Sequence, residues 1–263
     1  MAAISTDFET ILVSHEEATG RITLNRPEKR NALSLELMTE LISALERLGT
    51  DRGVRTIVIE GSGVAFSAGH DLGEMVGRDL AFYQRLFDVC TDLMETIHRV
   101  PQPVIAKVHG VATAAGCQLV AACDLAIAAD DARFATPGVK IGLFCSTPMV
   151  PLSRAIGRKR ALEMLLTGDF VDASTALEWG LVNRVVPGGE LDEAVAGLVD
   201  RIVRSSGLTI GIGKEAFYGQ VELDEHRAYD LTKSVMAMNS LAADAQEGIC
   251  AFLEKRQPSW KNS

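Results

Sequence analysis

The sequence predicts an α/β fold, and two observations support that prediction. The apolar run "TIVIE" at residues 56–60 passes directly into glycines, and "VIAKVHG" at 104–110 passes into small residues in the same way. Continuous apolar runs of this length are typical of strands buried on both faces. A helical stretch follows each turn, so the order strand, glycine-rich turn, helix occurs twice, as in α/β domains.

The N-terminal elements are a predicted hairpin and a predicted helix. "TILVS" and "GRITLN" are short β-branched runs separated by "HEEAT", which predicts the hairpin. Ser34 then stands at the N-cap of a helix that Gly49 is expected to close. The leucines that share one face of this amphipathic helix are Leu37, Leu41, Leu45 and Leu48.

The remaining elements alternate and then become helical. "GSGVAFSAGHDLGEM" predicts a loop after a buried strand, where α/β folds place ligands. The further predicted elements are a helix at 80–100, strands at 124–129 and 132–136, a loop at 137–148, helices near 158–166, 173–179 and 190–205, and a strand at 181–186. Residues 211–255 show no strand pattern, and "DAQEGICAFLEKR" predicts an amphipathic helix. This helical part is expected to pack either on the core or on a neighbouring subunit.

Length and charge limit the class of protein. A chain of 263 residues is expected to form one compact core with an appended segment. With 47% hydrophobic and 23% charged residues, the composition is that of a folded chain. The net charge of −9 disfavours a nucleic-acid partner, because such binding depends on clustered cations.

Cysteines and apolar runs give the expected compartment. The five cysteines lack CxxC spacing and mostly have apolar neighbours, which predicts reduced thiols. The start, "MAAISTDFET", has neither a basic segment nor a long apolar run, so we expect no secretory signal and a cytoplasmic location. The apolar window 104–129 contains Lys107, His109, Gln118 and Asp124, so we interpret it as buried core and expect no membrane partner.

Two small-residue turns are the strongest candidate site. The histidines are scattered, so no metal site is expected, and the sequence has no P-loop, full dinucleotide fingerprint or GxSxG elbow. The turns "AFSAGHDL" and "ATAAGCQL" each follow a buried strand. They could bring two backbone N–H groups together as an oxyanion hole, or they could serve tight helix-sheet packing.

Five segments resemble the enoyl-CoA hydratase/isomerase (crotonase) superfamily in order and spacing, over nearly the whole chain. They are "NRPEKRNAL", "AFSAGHDL", "VHGVATAAGCQLVAACDLAIAADDARFATPGVKIGL", "ALEMLLTGDFVDASTALEWGLVNRVVP" and "QEGICAFLEKR". "GCQL" and "FATPGV…GLFCSTP" are similar to one branch of that family. The resemblance implies an acyl-CoA-binding spiral of ββα units at 1–199, a helical trimerisation region at 200–263, and a homotrimer or dimer of trimers.

The resemblance also implies the ligand and its residues. The substrate would be an acyl-CoA thioester, with coenzyme A bound as part of it and no tightly held cofactor. The oxyanion donors would be the backbone N–H groups of His70 and Ala115. The residues implied in coenzyme A binding are Lys29, Arg30, Ser67, Ala68, Asp71 and Leu72, with adenine against Ser67 and Ala68 and phosphates near Lys29 and Arg30. A solvated loop is the alternative for the two cations.

The resemblance also implies that this chain lacks the usual acid/base pair of the family. Hydratases of the family use two glutamates to activate water and protonate carbon, and this chain has Gln118 and Gly138 at those positions. Since neither residue exchanges protons, ordinary hydration should be impaired. Cys145 or Ser146 is a candidate nucleophile, with His70 as the candidate base. The alternative is that Cys145 is a buried structural cysteine and that Ser146 belongs to the start of a helix.

Two functions stay open at this point. One is an acyl-CoA enzyme of fatty-acid or related metabolism with an atypical reaction, for which hydration, isomerisation and thioester hydrolysis are options. The other is a protein that binds coenzyme A thioesters and has lost the chemistry.

Overall fold

The computed structural model describes residues 8–262, which form two sheets flanked by helices. The expectation of no secretory signal rests largely on residues 1–7 and lies outside the described residues. The strands are β1 Ile11–Glu16, β2 Thr19–Leu24, β3 Thr56–Gly61, β4 Ala65–Ser67, β5 Val104–Val108, β6 Val111–Thr113, β7 Leu125–Ala129, β8 Arg133–Ala135, β9 Val171–Asp172 and β10 Arg184–Val186. The helices are α1 Leu35–Thr50, α2 Leu72–Met75, α3 Leu80–Arg99, α4 Ala115–Ala122, α5 Met149–Ile156, α6 Arg158–Thr167, α7 Ala173–Trp179, α8 Leu191–Val203, α9 Gly207–Gln220, α10 Glu225–Asn239 and α11 Ala243–Glu254.

The sheets confirm the predicted α/β class. The larger sheet has the order β1-β2-β3-β5-β7-β10 and is parallel except for the β1-β2 hairpin. The smaller sheet has the order β4-β6-β8-β9, with β9 antiparallel to β8. Each of β3, β5 and β7 is followed by a strand of the smaller sheet and then by helical structure. The chain therefore repeats a ββα unit.

The first helix and its core face are confirmed. The Oγ of Ser34 accepts the N–H of Leu37 at 3.2 Å, which caps α1. The four predicted leucines are all buried beneath the sheet. Gly49 does not end α1, which runs on to Thr50, because Gly49 does not adopt the left-handed conformation of a helix-ending glycine.

The segment 61–75 is more ordered than the predicted loop. Residues 65–67 form β4, which is fully buried and pairs with β6, and Leu72–Met75 form the single turn of α2. Such short elements are set by tertiary pairing rather than by local periodicity. For the same reason the two-residue β9 was not predicted. The helix α5 was also not predicted, although Leu152 and Ile156, which are buried and four residues apart, are a local helical signal.

A buried ion pair attaches the C-terminal helices to the sheet. Lys214 of α9 places its Nζ 2.6 Å from Oδ2 of Asp124, and Tyr218 donates to Oδ1 of the same carboxylate at 2.7 Å. The Lys214 side chain is only 7% exposed, so the pair is desolvated. By contrast, α10 has no buried residue, and the predicted boundary at 199/200 falls inside α8. None of the helices in the described range is both long and apolar enough to cross a membrane.

Candidate active site

The two small-residue turns lie in contact with each other. Gly69 has φ +90°, and a Cβ on it would stand 2.8 Å from the Cβ of Ala114 and 3.2 Å from the N of Ala115. Glycine adopts this backbone conformation without strain, and it has no Cβ that would collide with Ala114. The turn after β4 and the turn after β6 therefore meet at backbone distance.

The N–H of His70 is directed away from Leu33, which pairs with the two residues that flank His70. Leu33 donates its N–H to the carbonyl of Gly69 at 2.7 Å and accepts the N–H of Asp71 at 3.2 Å. Because N–H groups alternate in direction along an extended chain, the N–H of His70 points to the opposite side. It has no hydrogen-bond partner among residues 8–262.

The N–H of Ala115 begins α4 and is also unpartnered within the described chain. Ala114, which precedes it, has φ 50° and ψ −118°, a conformation that is strained for a residue with a Cβ. Its own N–H donates to Ala135 at 2.9 Å, which holds the turn in place. An N–H at the start of a helix carries the positive end of the helix dipole, so it suits an oxygen that gains negative charge.

The loop of Lys29 and Arg30 lies beside the turn that holds Ser67 and Ala68. The N–H of Ala68 donates to the carbonyl of Arg30 at 2.9 Å, so the loop with Lys29 and Arg30 lies beside the β4 turn. Both cations are exposed, whereas Ser67 is buried and its hydroxyl donates to the carbonyl of Asn31 at 2.8 Å. Ser67 thus presents no side chain at the surface.

The carboxylate of Asp71 is already engaged. It binds the guanidinium of Arg26 at 2.9 Å and accepts the N–H of Gly73 at 3.1 Å, which caps α2. Leu72 beside it is 51% exposed. Arg26 also donates to the carbonyl of Ala32, so it ties the loop to the His70 turn. Arg26 was not predicted, because no sequence spacing relates it to Asp71.

Gln118 is buried against a thiol. Its Oε1 lies 3.7 Å from the Sγ of Cys90 on α3, and the side chains are 3% and 0% exposed. Burial raises the pKa of Cys90 to about 12, so the thiol stays protonated. Cys90 was not predicted as a site residue, since nothing local distinguishes it from a core cysteine.

The position of Gly138 has no room for a side chain. A Cβ there would stand 2.0 Å from the carbonyl oxygen of Leu143 and 2.8 Å from the Sγ of Cys145. The loop's own backbone and a thiol therefore occupy the space that an acid at residue 138 would need.

Neither candidate nucleophile forms a hydrogen bond to a base among residues 8–262. Ser146 is exposed, and its Oγ contacts only the carbonyl of Phe144, at 3.4 Å, among residues 8–262. Cys145 is buried, which raises the pKa of its thiol. The ring of His70 packs edge-on to Phe87 with centroids 5.6 Å apart, and burial lowers its pKa. The backbone of Leu33 opposes this shift weakly, and neither ring nitrogen forms a well-aligned hydrogen bond in the described range.

Comparison with known proteins decides the family. The family described as "Enoyl-CoA hydratase/isomerase" matches residues 14–263. This chain belongs to that family. A curated relative, "Enoyl-CoA hydratase domain-containing protein 3, mitochondrial" of Xenopus laevis, is 44% identical over 255 residues, covering 96% of this chain and 86% of the relative. It represents the branch that "GCQL" and "FATPGV…GLFCSTP" predicted.

Solved structures of the enoyl-CoA hydratase/isomerase family share the fold. A crystal structure of an enoyl-CoA hydratase from Mycobacterium smegmatis has a TM-score of 0.94 and 50% identity, over 96% of this chain and 99% of that one. Human enoyl-CoA hydratase domain-containing protein 3 has a TM-score of 0.94 and 43% identity, over 96% and 100%. The predicted crotonase-like spiral with a helical C-terminal region is confirmed.

The predicted cytoplasmic location is wrong on the same comparison. The relatives from Xenopus laevis, Rattus norvegicus and Homo sapiens are all named mitochondrial. The physical reason for the error is that reduced cysteines separate reducing from oxidising compartments but do not distinguish one reducing compartment from another.

Within residues 8–262 no group of three or more His, Cys, Asp or Glu is arranged to hold a metal ion.

Proposed function

We propose that this protein binds acyl-CoA thioesters and stabilises negative charge on the thioester oxygen with the N–H groups of His70 and Ala115. The observation that carries this proposal is that two turns in backbone contact each hold one N–H without a partner among the described residues. Preorganised donors of this kind contribute about 3 kcal/mol each to stabilising a developing oxyanion. The species stabilised is the enolate of the thioester.

The coenzyme A part of the ligand is proposed to lie on the loop of Lys29 and Arg30 and the turn of Ser67 and Ala68. The hydrogen bond from Ala68 to Arg30 joins these two segments. Two exposed cations supply local positive charge for the phosphates on a chain of net charge −9. Asp71 shapes this region through Arg26 rather than by contacting the ligand, and Leu72 offers an exposed apolar contact. Coenzyme A is thus part of the substrate, and no tightly bound cofactor is proposed.

The reaction is proposed to differ from hydration by two carboxylates. Gln118 accepts no proton at neutral pH, and residue 138 has no space for an acid. An acyl-CoA enzyme of fatty-acid or related acyl-CoA metabolism that needs only enolate stabilisation fits these residues. The second candidate, a binding protein for coenzyme A thioesters without hydratase activity, is favoured by the filled space at Gly138.

The assembly is proposed to be a homotrimer or a dimer of trimers built by residues 200–263. In the single chain, apolar side chains of this region face solvent: Tyr229, Met236, Met238, Leu241, Ile249, Phe252 and Leu253 are each more than half exposed. Large apolar side chains exposed in this number on one region of a chain favour a protein partner that covers them.

The test compares a thioester with its carbonyl-free analogue. Butyryl-CoA and the thioether S-butyl-CoA share the nucleotide and nearly the same chain, but only the first has an oxygen for the two N–H groups. Calorimetry should give about tenfold tighter binding of the thioester, the size of one to two neutral hydrogen bonds. Equal affinity would reject the oxyanion site. Turnover of crotonyl-CoA, followed in parallel, should be slow or absent, and rapid turnover would reject the binding-only function.

A further inference from the structure

The Cys90 thiol determines which end of the Gln118 carboxamide faces outward. The sulfur stays protonated because burial raises the pKa of Cys90 to about 12. A protonated thiol donates hydrogen bonds and is a weak acceptor, so it pairs with the oxygen of the amide. The contact of 3.7 Å between Sγ and Oε1 has this arrangement.

The NH2 end of Gln118 is therefore the end available to a ligand. Because Oε1 and Nε2 are opposite ends of one planar group, fixing the oxygen at Cys90 turns the nitrogen away from it. Nε2 makes no hydrogen bond to any residue in 8–262, and it is not among the fully enclosed atoms that lack a partner. The small exposed part of this side chain thus includes its nitrogen.

Helix geometry brings this NH2 group toward the N–H of Ala115. Gln118 lies three residues after Ala115 on α4, and positions three apart share one helix face. Helical side chains lean toward the N-terminus of their helix, which here is Ala115 itself. The backbone N–H of Ala115 and the side-chain NH2 of Gln118 then both lie at the N-terminal end of α4.

We infer that Cys90 is a positioning residue that holds Gln118 as a hydrogen-bond donor, so that the acyl site presents three N–H donors and selects ligands that ionise to an enolate. The inference rests on the proposed function, which places the acyl group at His70 and Ala115. It adds the ligand class: 3-oxoacyl-CoA thioesters, whose second carbonyl makes the enolate accessible and gives a second oxygen to accept hydrogen bonds.

Acetoacetyl-CoA is the probe, because its enolate and keto forms absorb differently in the ultraviolet. The pH titration of the bound ligand gives an apparent pKa for its enolisation, which three donors should lower by about one unit or more relative to the free ligand. Cys90→Ala should raise the bound value by about half a unit, the size of one weak neutral hydrogen bond. Cys90→Ser, which retains a donor, should restore it. Cys123→Ala is the matched control, since Cys123 is also a buried thiol, at the end of α4, and its charged neighbours are Asp124 and Lys214 rather than the Gln118 carboxamide.

A double-mutant comparison separates positioning from general loosening of the core. In a Gln118→Met background there is no carboxamide to orient, so adding Cys90→Ala should leave the enolisation of the ligand unchanged. An equal effect of Cys90→Ala in both backgrounds, or no effect in the native background, would overturn the positioning role and leave the proposed function intact. A wild-type protein that does not bind acetoacetyl-CoA, or binds it without shifting its enolisation, would overturn the proposed function and this inference with it.

A second experiment uses the wild-type protein, so it does not depend on a stable Cys90 variant. The side-chain NH2 signal of Gln118 in a nitrogen-15 spectrum, assigned by its loss in Gln118→Met, should shift when acetoacetyl-CoA is added. An unchanged signal at saturating ligand would overturn the donor role of Gln118.

Discussion

Gly138 lies against the carbonyl of Leu143, so that a Cβ at residue 138 would approach the oxygen to 2.0 Å. The N–H of Leu143 in turn donates to the carbonyl of Gly138 at 2.9 Å, which closes the loop on itself. We therefore expect Gly138→Ala to lower the free energy of unfolding by about 1–3 kcal/mol, as overpacking does elsewhere. Denaturant unfolding measures this. Gly189→Ala is the control, because its Cβ meets nothing within 4 Å and should change stability by no more than about 0.5 kcal/mol.

The same contact has a consequence for chemistry. Gly138→Glu cannot place a carboxylate in the site without moving residues 138–145. The single substitution should therefore not raise the rate of crotonyl-CoA hydration above that of the wild type. A rate gain from that single change, measured by loss of the conjugated thioester absorbance, would contradict the filled space at residue 138.

The sequence predicted the large elements because their physical signals are local. The leucine spacing of α1 and the apolar runs of β3 and β5 depend only on which side chains must be buried. In contrast, β4 and β9 are three and two residues long and exist because β6 and β8 pair with them. No local pattern contains that information.

The candidate site also has parts that the sequence predicted and parts that only the folded chain shows. The turns of His70 and Ala115 were predicted from their small residues, and their contact through Gly69 is a property of the folded chain. Cys90 and Arg26 act across 28 and 45 residues of sequence, at Gln118 and Asp71. Such pairs depend on the packing of α3 and on the loop before α1, so a single sequence does not reveal them.

Lys29 and Arg30 are expected to contribute to binding of coenzyme A through charge. Replacing either with alanine should weaken binding of free coenzyme A about two- to fivefold at 0.05 M salt, and the difference should shrink at 0.5 M salt because screening removes it. Calorimetry at the two salt concentrations measures this. Lys159→Ala removes an equally exposed cation on α6 and should leave affinity unchanged. If all three substitutions weakened binding equally, the effect would come from the net charge of the chain, and the local role of Lys29 and Arg30 would be rejected.

Glu60 is expected to make stability depend on acid. Its carboxylate binds Lys107 and Arg21 at 2.8 Å and is 14% exposed. Burial alone would raise the pKa of Glu60, but the Lys107 hydrogen bond and the charges of Arg21 and Lys107 outweigh it, and the pKa is lowered. A lowered folded-state pKa means that the stabilisation is complete above the unfolded value of about 4.3 and is lost as pH falls through the folded value.

Glu60→Gln tests this linkage. It should lower the free energy of unfolding at pH 7 by about 1–3 kcal/mol and make stability less sensitive to pH below about 4.3, since the group no longer titrates. Denaturant unfolding between pH 3 and pH 7 gives both quantities. If the variant and the wild type lose stability in parallel over that range, Glu60 is not a source of the acid dependence.

Phe252 of α11 is 83% exposed in the single chain, and an aromatic side chain so exposed on an apolar surface is expected to be covered by another copy. A charge there would be desolvated on assembly, so Phe252→Glu should shift the protein toward the mass of one chain in light scattering. Leu12→Glu is the control, because Leu12 is 55% exposed on β1, outside the helical region, and its variant should assemble like the wild type. Because the Phe252 side chain is largely exposed within its own chain, Phe252→Glu should keep the circular dichroism of the wild type. A wild type with the mass of one chain would reject residues 200–263 as an oligomerisation region, whereas loss of helix in the variant would show that Phe252 stabilises α11 within its own chain.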